Sequence, residues 1–153
     1  MPDRPRDSGR QGASLIELLV VVGIMGSVGL FVFPSVARVF DHVEVGAART
    51  ALVNLYHSAR TAARVSNRMS VLRVSGNRVL IERNSPNGTA KDTLGPITDL
   101  MAQYGVLVSG PDSIRIDARG MLESNLQNRV KYLLTRGDWS DSVMLSNYGR
   151  VTR

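Results

Sequence analysis

Eighteen of the 21 residues from Ala13 to Phe33 are apolar or glycine, and one carboxylate, Glu17, lies inside the run. As a helix the run is about 31 Å long at roughly 1.5 Å per residue. That length matches a bilayer hydrocarbon core of about 30 Å, so the sequence predicts one membrane crossing over 13–33. A charged side chain at mid-bilayer costs roughly 2.5 to 3.5 kcal/mol, so Glu17 needs either an escape to the interface or a partner. Arg4, Arg6 and Arg10 precede the run, whereas Asp41 and Glu44 follow soon after Arg38. The Lys/Arg bias predicts a cytoplasmic N-terminus and export of the remaining chain.

Two other readings of this region compete. A secretory signal peptide would be cut after small residues, and Ser35-Val36-Ala37 offers such a site. The apolar stretch, however, exceeds the usual length of about 7 to 15 residues and carries a glutamate in its first turn. Alternatively, Ser14-x-x-Glu17 is a capping box whose carboxylate is favoured by the positive end of the helix dipole. Gly23, Gly26 and Gly29 recur every third residue, as ordinary transmembrane glycines or as positions where helix backbones approach closely. Pro34 removes a backbone hydrogen bond at the expected membrane exit.

The rest of the 153 residues leaves room for one small domain. There is no cysteine, so an exported domain here holds together by packing alone. His42 and His57 are 15 residues apart in a helical stretch, which gives no metal-ligand or Cys/His spacing, and they read as surface or interface residues. Neither a G-x-S-x-G motif nor a phosphate-cradling glycine loop occurs, so the expected chain is no enzyme and needs no cofactor or metal. Asp138-Trp-Ser-Asp141 lacks calcium-loop spacing and reads as a turn, and Asn87-Gly-Thr89 reads as a plain loop despite its sequon form.

Beyond Pro34 a helical period continues through Val36, Phe40, Val43, Ala47, Ala51, Leu55, Ala59 and Ala62, with Arg38, Glu44, Arg49, Arg60 and Arg64 mostly off that stripe. Ser66-Asn67 ends it. The period then becomes two: Met69, Val71 and Arg73, a Ser75-Gly76-Asn77 turn, then Val79 and Ile81, which predicts a hairpin. Residues 84–89 and Leu94-Gly-Pro96 are loop signals. Strands are expected at Val106-Leu107-Val108, Ile114-x-Ile116, Val130 to Thr135 and Val143 to Leu145, with turns at Ser109-Gly-Pro-Asp112 and Asn147-Tyr-Gly-Arg150. The sum is α+β: one long helix followed by an antiparallel sheet.

Gly12-Ala13-Ser14-Leu15-Ile16-Glu17 resembles a prepilin processing site. Counted from Ala13, Glu17 is the fifth residue and Pro34 the twenty-second, the places where pilin-like proteins typically carry glutamate and often proline. Arg60-Thr-Ala-Ala-Arg64, Ile114-Arg-Ile-Asp-Ala-Arg-Gly120 and the closing 143–153 stretch resemble more narrowly the minor pseudopilins of the type II secretion protein H family and their type IV pilus relatives. The likeness spans most of the chain after Gly12. Two positions differ from the usual pattern: Ala13 stands where phenylalanine or methionine is commoner, and the stretch after Ile116 lacks the phenylalanine and proline often seen there.

The resemblance implies a leader at 1–12, a transmembrane helix at 13–33, an amphipathic extension at 34–66 and a periplasmic β-sheet domain at 67–153. It implies that prepilin peptidase cuts after Gly12 and methylates the amine of Ala13, and that Glu17 pairs with that amine during assembly with other minor and major pseudopilins. The protein would lie in the inner membrane as a single-pass subunit and then near a filament tip, supporting protein export. Loss of the leader takes Lys+Arg from 19 to 16 and Asp+Glu from 13 to 11, a net charge of +5.

The alternative is a minor pilin of a type IV pilus or competence system that contacts DNA. Arg136, Arg150 and Arg153 join Arg60, Arg64 and Arg68 as basic residues, and Arg150 and Arg153 are the candidate phosphate contacts. No aromatic interleaving accompanies them, and a solvated basic surface is the plainer explanation of them.

Overall fold

The computed structural model describes residues 14–84, 91–123 and 129–152, with the backbone alone described at 30–38 and at Asn84. Gly12, Ala13, Arg153 and residues 85–89 of the expected 84–89 loop lie outside the described residues, while Asn84 belongs to a strand. The chain divides into two compact units, residues 1–37 and 38–153.

Helix α1 runs from Leu15 to Ser66. In the first unit its start is marked by the Ser14 carbonyl, which accepts the N–H groups of Glu17 at 2.9 Å and Leu18 at 3.2 Å. Pro34 lies within the helical backbone. No helix among the described residues is long and apolar enough to cross a membrane. The described part of the apolar run, Leu15 to Gly29, is 15 residues, short of the roughly 17 to 25 a crossing takes. The remainder of the expected span is Ser14, Ala13 and residues 30–33.

In the second unit α1 ends in a Schellman motif. Asn67 takes the left-handed conformation (φ 49°), and Arg68 N–H reaches the Ala63 carbonyl at 3.1 Å while Asn67 N–H reaches Arg64 at 3.2 Å. The stop expected at Ser66-Asn67 thus has a backbone cause. Among the described residues nine strands and a short helix follow: β1 Ser70–Ser75, β2 Arg78–Asn84, β3 Lys91–Asp99, α2 Leu100–Tyr104, β4 Leu107–Ser109, β5 Ser113–Ile116, β6 Leu122–Glu123, β7 Arg129–Arg136, β8 Trp139–Ser146 and β9 Val151–Thr152. Asp99 caps α2 by accepting the N–H groups of Met101 and Ala102, and Gly105 closes it at φ 65°.

The expected single sheet is two. One has the order β3-β2-β1-β5-β6 and the other β4-β7-β8-β9, with all pairings antiparallel. Their inner faces alternate as the pleat requires: Ile114 and Ile116 are buried on β5, Val130, Tyr132 and Leu134 on β7, and Val143 and Leu145 on β8. Both faces meet α1 in one core.

Three local expectations need correction. Of the expected helix stripe, Ala59 is buried and Ala51 and Leu55 pack against the core, whereas Phe40 and Val43 are exposed, and the fully buried line runs through Val45, Ala48, Leu52, Tyr56, Ala59 and Ala63. Both stripes keep helical spacing; the one carrying Leu52 and Tyr56 removes more apolar area from water, at roughly 25 cal/mol per Å². On β1 the buried residues are Ser70, Leu72 and Val74, one residue out of phase with Met69, Val71 and Arg73. Ser70 is tolerated inside because its hydroxyl donates to the Ala59 carbonyl at 2.8 Å. Leu94-Gly-Pro96, read as loop, is part of β3. That strand is an edge, where proline's missing N–H costs no ladder bond, and the pairing slips between Val79 and Ile81 opposite Gly95 at φ 76°.

Candidate functional site

The first unit presents a surface that water does not favour. Leu15, Ile16, Leu18, Leu19, Val20, Val21, Val22, Ile24, Met25 and Val28 are all exposed, so the helix is apolar around its whole circumference. A helix of that character is normally buried in lipid or among other helices. Glu17 stands in its first turn, where the positive end of the helix dipole favours a carboxylate. A Cβ added at Gly23 or Gly26 would meet nothing within 4 Å, so both leave room on the helix surface for a neighbouring backbone. Ser27, the polar residue beside them, donates its hydroxyl to the Gly23 carbonyl at 2.8 Å and adds no free polar group to the surface.

The second unit joins its helix to both sheets through arginines. Arg60 donates from Nε to the Gly120 carbonyl at 2.8 Å, from Nη1 to Gly149 at 3.2 Å and from Nη2 to Tyr148 at 3.4 Å. One turn on, Arg64 Nε donates to the Arg119 carbonyl at 2.9 Å. The guanidinium of Arg60 also lies 5.7 Å from the centre of the Tyr56 ring. A planar fork with five donors suits a cluster of backbone carbonyls, and lysine could not serve them together.

The two loops that receive these donors are preshaped. In the turn after β5, the Asp117 side chain accepts the N–H groups of Arg119 at 2.9 Å and Met121 at 2.8 Å. Burial pulls the Asp117 carboxyl up, but the Met121 amide, the Arg119 side chain and the Arg119 amide outweigh it and leave the group below its ordinary range. In the turn after β8, Gly149 N–H reaches the Ser146 carbonyl and Arg150 N–H the Ser146 hydroxyl, both at 2.9 Å. Leu122 N–H then donates to the Asn147 carbonyl at 3.1 Å, tying β6 of one sheet to the turn of the other. Gly120 (φ 80°) and Gly149 (φ 83°) are required by their left-handed backbone, and a Cβ there would also press on the movable ends of Arg64 and Arg60 respectively.

At the other end of the same helix segment, Arg136 pairs with Asp41 at 2.8 Å and also donates to the Tyr104 carbonyl. Arg49 lies 3.6 Å from Asp141. His42 meets Trp139 edge-on, ring centres 4.6 Å apart.

The sequence-predicted residues are distributed as follows. Glu17 is at the helix start and exposed, and Pro34 is helical in backbone. Arg150 is exposed on the 147–150 turn. Of the other arginines grouped as basic residues, Arg60 and Arg64 donate to loop carbonyls, Arg60 reaching Gly149 beside Arg150, and Arg136 pairs with Asp41. His57 lies beside Tyr56 at 5.7 Å, away from His42. Among the described residues no group of three or more His, Cys, Asp or Glu could hold a metal ion, Asp138 and Asp141 included.

Sequence reasoning missed the arginine junction, although it singled out its three parts. Arg60 to Arg64, Ile114 to Gly120 and 143–153 are the stretches that carry the resemblance, and they meet here.

An N-terminal helix packed on antiparallel sheet, with this topology, is a pilin-like fold. Solved structures bear that out: the chain is similar to the type IV minor pilin FimU of Pseudomonas aeruginosa strain PAO1 in two crystal forms. The first superposes with a TM-score of 0.57 at 16% identity, covering 73% of this chain and 89% of FimU. The second gives 0.53 at 16% identity, covering 70% and 90%. No family profile matches the chain, and no curated protein does.

Proposed function

We propose that the chain is a minor pseudopilin of a type II secretion system, processed by prepilin peptidase after Gly12, methylated at Ala13, and assembled through its N-terminal helix near the tip of the pseudopilus. The observation that carries this reading is a helix apolar on every side with Glu17 in its first turn, on a chain whose other unit has a pilin-like fold. Before assembly the helix is held in the inner membrane over 13–33, with the β-sheet domain in the periplasm. In the filament the carboxylate of Glu17 is neutralised by the amine of Ala13, its own or a neighbour's, and the pair fixes the axial register. The chain's role is assembly, with no catalysis of its own.

A second reading is a minor pilin of a type IV pilus or competence system that contacts DNA; its pilus part is supported by the solved structures the chain resembles, which are of a type IV minor pilin. Affinity purification of the tagged full-length chain from its host membranes separates the two. Recovery of secretion pseudopilins supports the first reading, recovery of pilus subunits the second, and recovery of neither contradicts both.

A further inference from the structure

The outer face of the sheet β4-β7-β8-β9 holds cations that no carboxylate compensates. Val130, Tyr132 and Leu134 of β7 are buried, so Arg129, Lys131 and Leu133 between them point outward. Arg129 stands opposite Ser146 of β8, and Lys131 opposite Met144. Met144 is in turn opposite Thr152 of β9, and the Ser146 N–H donates to the Arg150 carbonyl at 2.9 Å, which sets Arg150 beside Ser146. Arg129, Lys131 and Arg150 are all exposed. Lys131 follows Arg129 by about 7 Å along the strand, and Arg150 lies two strand spacings away, about 10 Å. Among the described residues none of the three makes an ion pair. Asp141 of β8 belongs to the other face, 3.6 Å from Arg49 of the helix. The sheet β3-β2-β1-β5-β6 treats its cations differently: Arg73 and Lys91 share Glu82, Arg78 pairs with Asp99, and Arg83 with Asp92.

We propose that this outer face docks the phosphate backbone of duplex DNA, with Arg129, Lys131 and Arg150 as the phosphate contacts. The inference rests on the DNA-contacting reading and gives it a surface across three strands, with Arg129 and Lys131 as contacts that the sequence did not single out. Like charges gathered on one sheet face repel, so their counter-charge comes from outside the chain. Glu82, Asp92, Asp99 and Asp141 are committed to the chain's own cations, which makes a second copy a poor source of it. The residues beside the cations then separate a nucleic acid from an acidic protein. Ser142, Ser146 and Thr152 share the face by register, and Tyr148 is 83% exposed on the turn that carries Arg150. Lysine and serine are depleted in protein–protein interfaces, and charge is depleted most at their centre. Protein–DNA interfaces are more polar and far more positive, and Ser, Thr and Tyr hydroxyls join Arg and Lys as donors to phosphate oxygens.

The full-length chain in an uncharged detergent is titrated with a short fluorescein-labelled DNA duplex, and anisotropy is followed across salt. Three phosphate contacts predict a log–log salt slope of about −2.7 or steeper, a loss of about fortyfold in affinity between about 50 and 200 mM salt. Arg129→Gln/Lys131→Gln should flatten the slope by about 1.8 and the single Lys131→Gln by about 0.9. Circular dichroism checks that each variant is folded. Arg68→Gln/Arg115→Gln removes the same charge from exposed positions off this face and should keep the wild-type slope. An unchanged slope in Arg129→Gln/Lys131→Gln, or equal flattening in both double variants, overturns this surface while DNA contact stands. A wild-type chain that does not bind the duplex overturns the surface and the DNA reading together. Poly-glutamate that displaces the duplex as well as unlabelled DNA does, at equal charge, overturns the nucleic-acid assignment and gives the face to an acidic protein.

Discussion

Arg60 donates its Nε–H to the Gly120 carbonyl at 2.8 Å across 60 residues of sequence. The same guanidinium reaches Gly149 and Tyr148 in the other sheet, so one helix side chain fastens two sheets. Hydrogen bonds from a charged donor contribute about 1.5 to 3 kcal/mol each, and Arg60 is partly exposed, which places its net contribution near the lower end. Arg60→Ala is expected to lower the stability of the domain by about 2 to 3 kcal/mol, and Arg60→Lys to recover only part of that. Urea unfolding followed by circular dichroism measures both, and an Arg60→Ala midpoint equal to wild type would show the junction to be ornamental.

Gly149→Ala places a Cβ where Arg60 sits and forces a left-handed residue to carry a side chain. The strain of a non-glycine residue at such a φ is of order 1 to 3 kcal/mol. Because part of the cost is the collision with Arg60, the double variant with Arg60→Ala should lose less than the sum of the single losses. A coupling of at least about 0.5 kcal/mol is expected for groups in contact, and strict additivity would mean that the guanidinium does not occupy that position.

How much of this was readable in advance depends on the range of the signal. The hairpin at Gly76-Asn77, the stop at Asn67 and the strands over 114–116, 130–135 and 143–145 depend on local chemistry, and each is where the sequence places it. The buried stripe of α1 is not a local property. Phe40 and Val43 fit a helical period as well as Val45 and Ala48 do, and only the sheets decide which face is covered. The arginine junction is likewise set by contacts between residues 55 to 89 positions apart. Spacing cannot show that a turn glycine's carbonyl faces an arginine.

Acid should weaken the domain through its turn and cap carboxylates. The Ala102 amide chiefly, with Arg78 and the Met101 amide, holds Asp99 below its ordinary pKa against desolvation. Asp117 is also low, because its hydrogen bonds outweigh the opposing effect of burial. A carboxylate lower in the folded than in the unfolded chain stabilises above the unfolded pKa of about 3.9 and loses that contribution as pH falls through the folded value. Urea midpoints should therefore drop from pH 5 toward pH 2, and Asp117→Asn should flatten that decline. Identical acid slopes in the two proteins would remove Asp117 from the account.

DNA binding is the discriminating property of the second functional reading. If Arg150 and Arg153 contact phosphates, a fragment beginning near Phe40 will bind DNA with affinity that falls steeply with salt, and replacing both with glutamine will reduce the slope by about two. If the basic residues only solvate the surface, the fragment will bind no better than a neutral control.

Processing after Gly12 makes a mass prediction: the membrane-extracted chain begins at Ala13 and carries one methyl group. A mature chain beginning at Arg38 and free of the membrane would establish a conventional signal peptide instead.

Glu17 decides the central claim. Its carboxylate opposes insertion into lipid, so Glu17→Ala should insert and be processed at least as well as wild type while losing its pairing with the Ala13 amine. The measurement is co-purification of wild type and Glu17→Ala with the other filament subunits, at matched membrane levels. The account predicts that wild type brings those subunits down and that Glu17→Ala, inserted and processed, does not. A Glu17→Ala chain that assembles like wild type would contradict it and leave Glu17 as a helix cap.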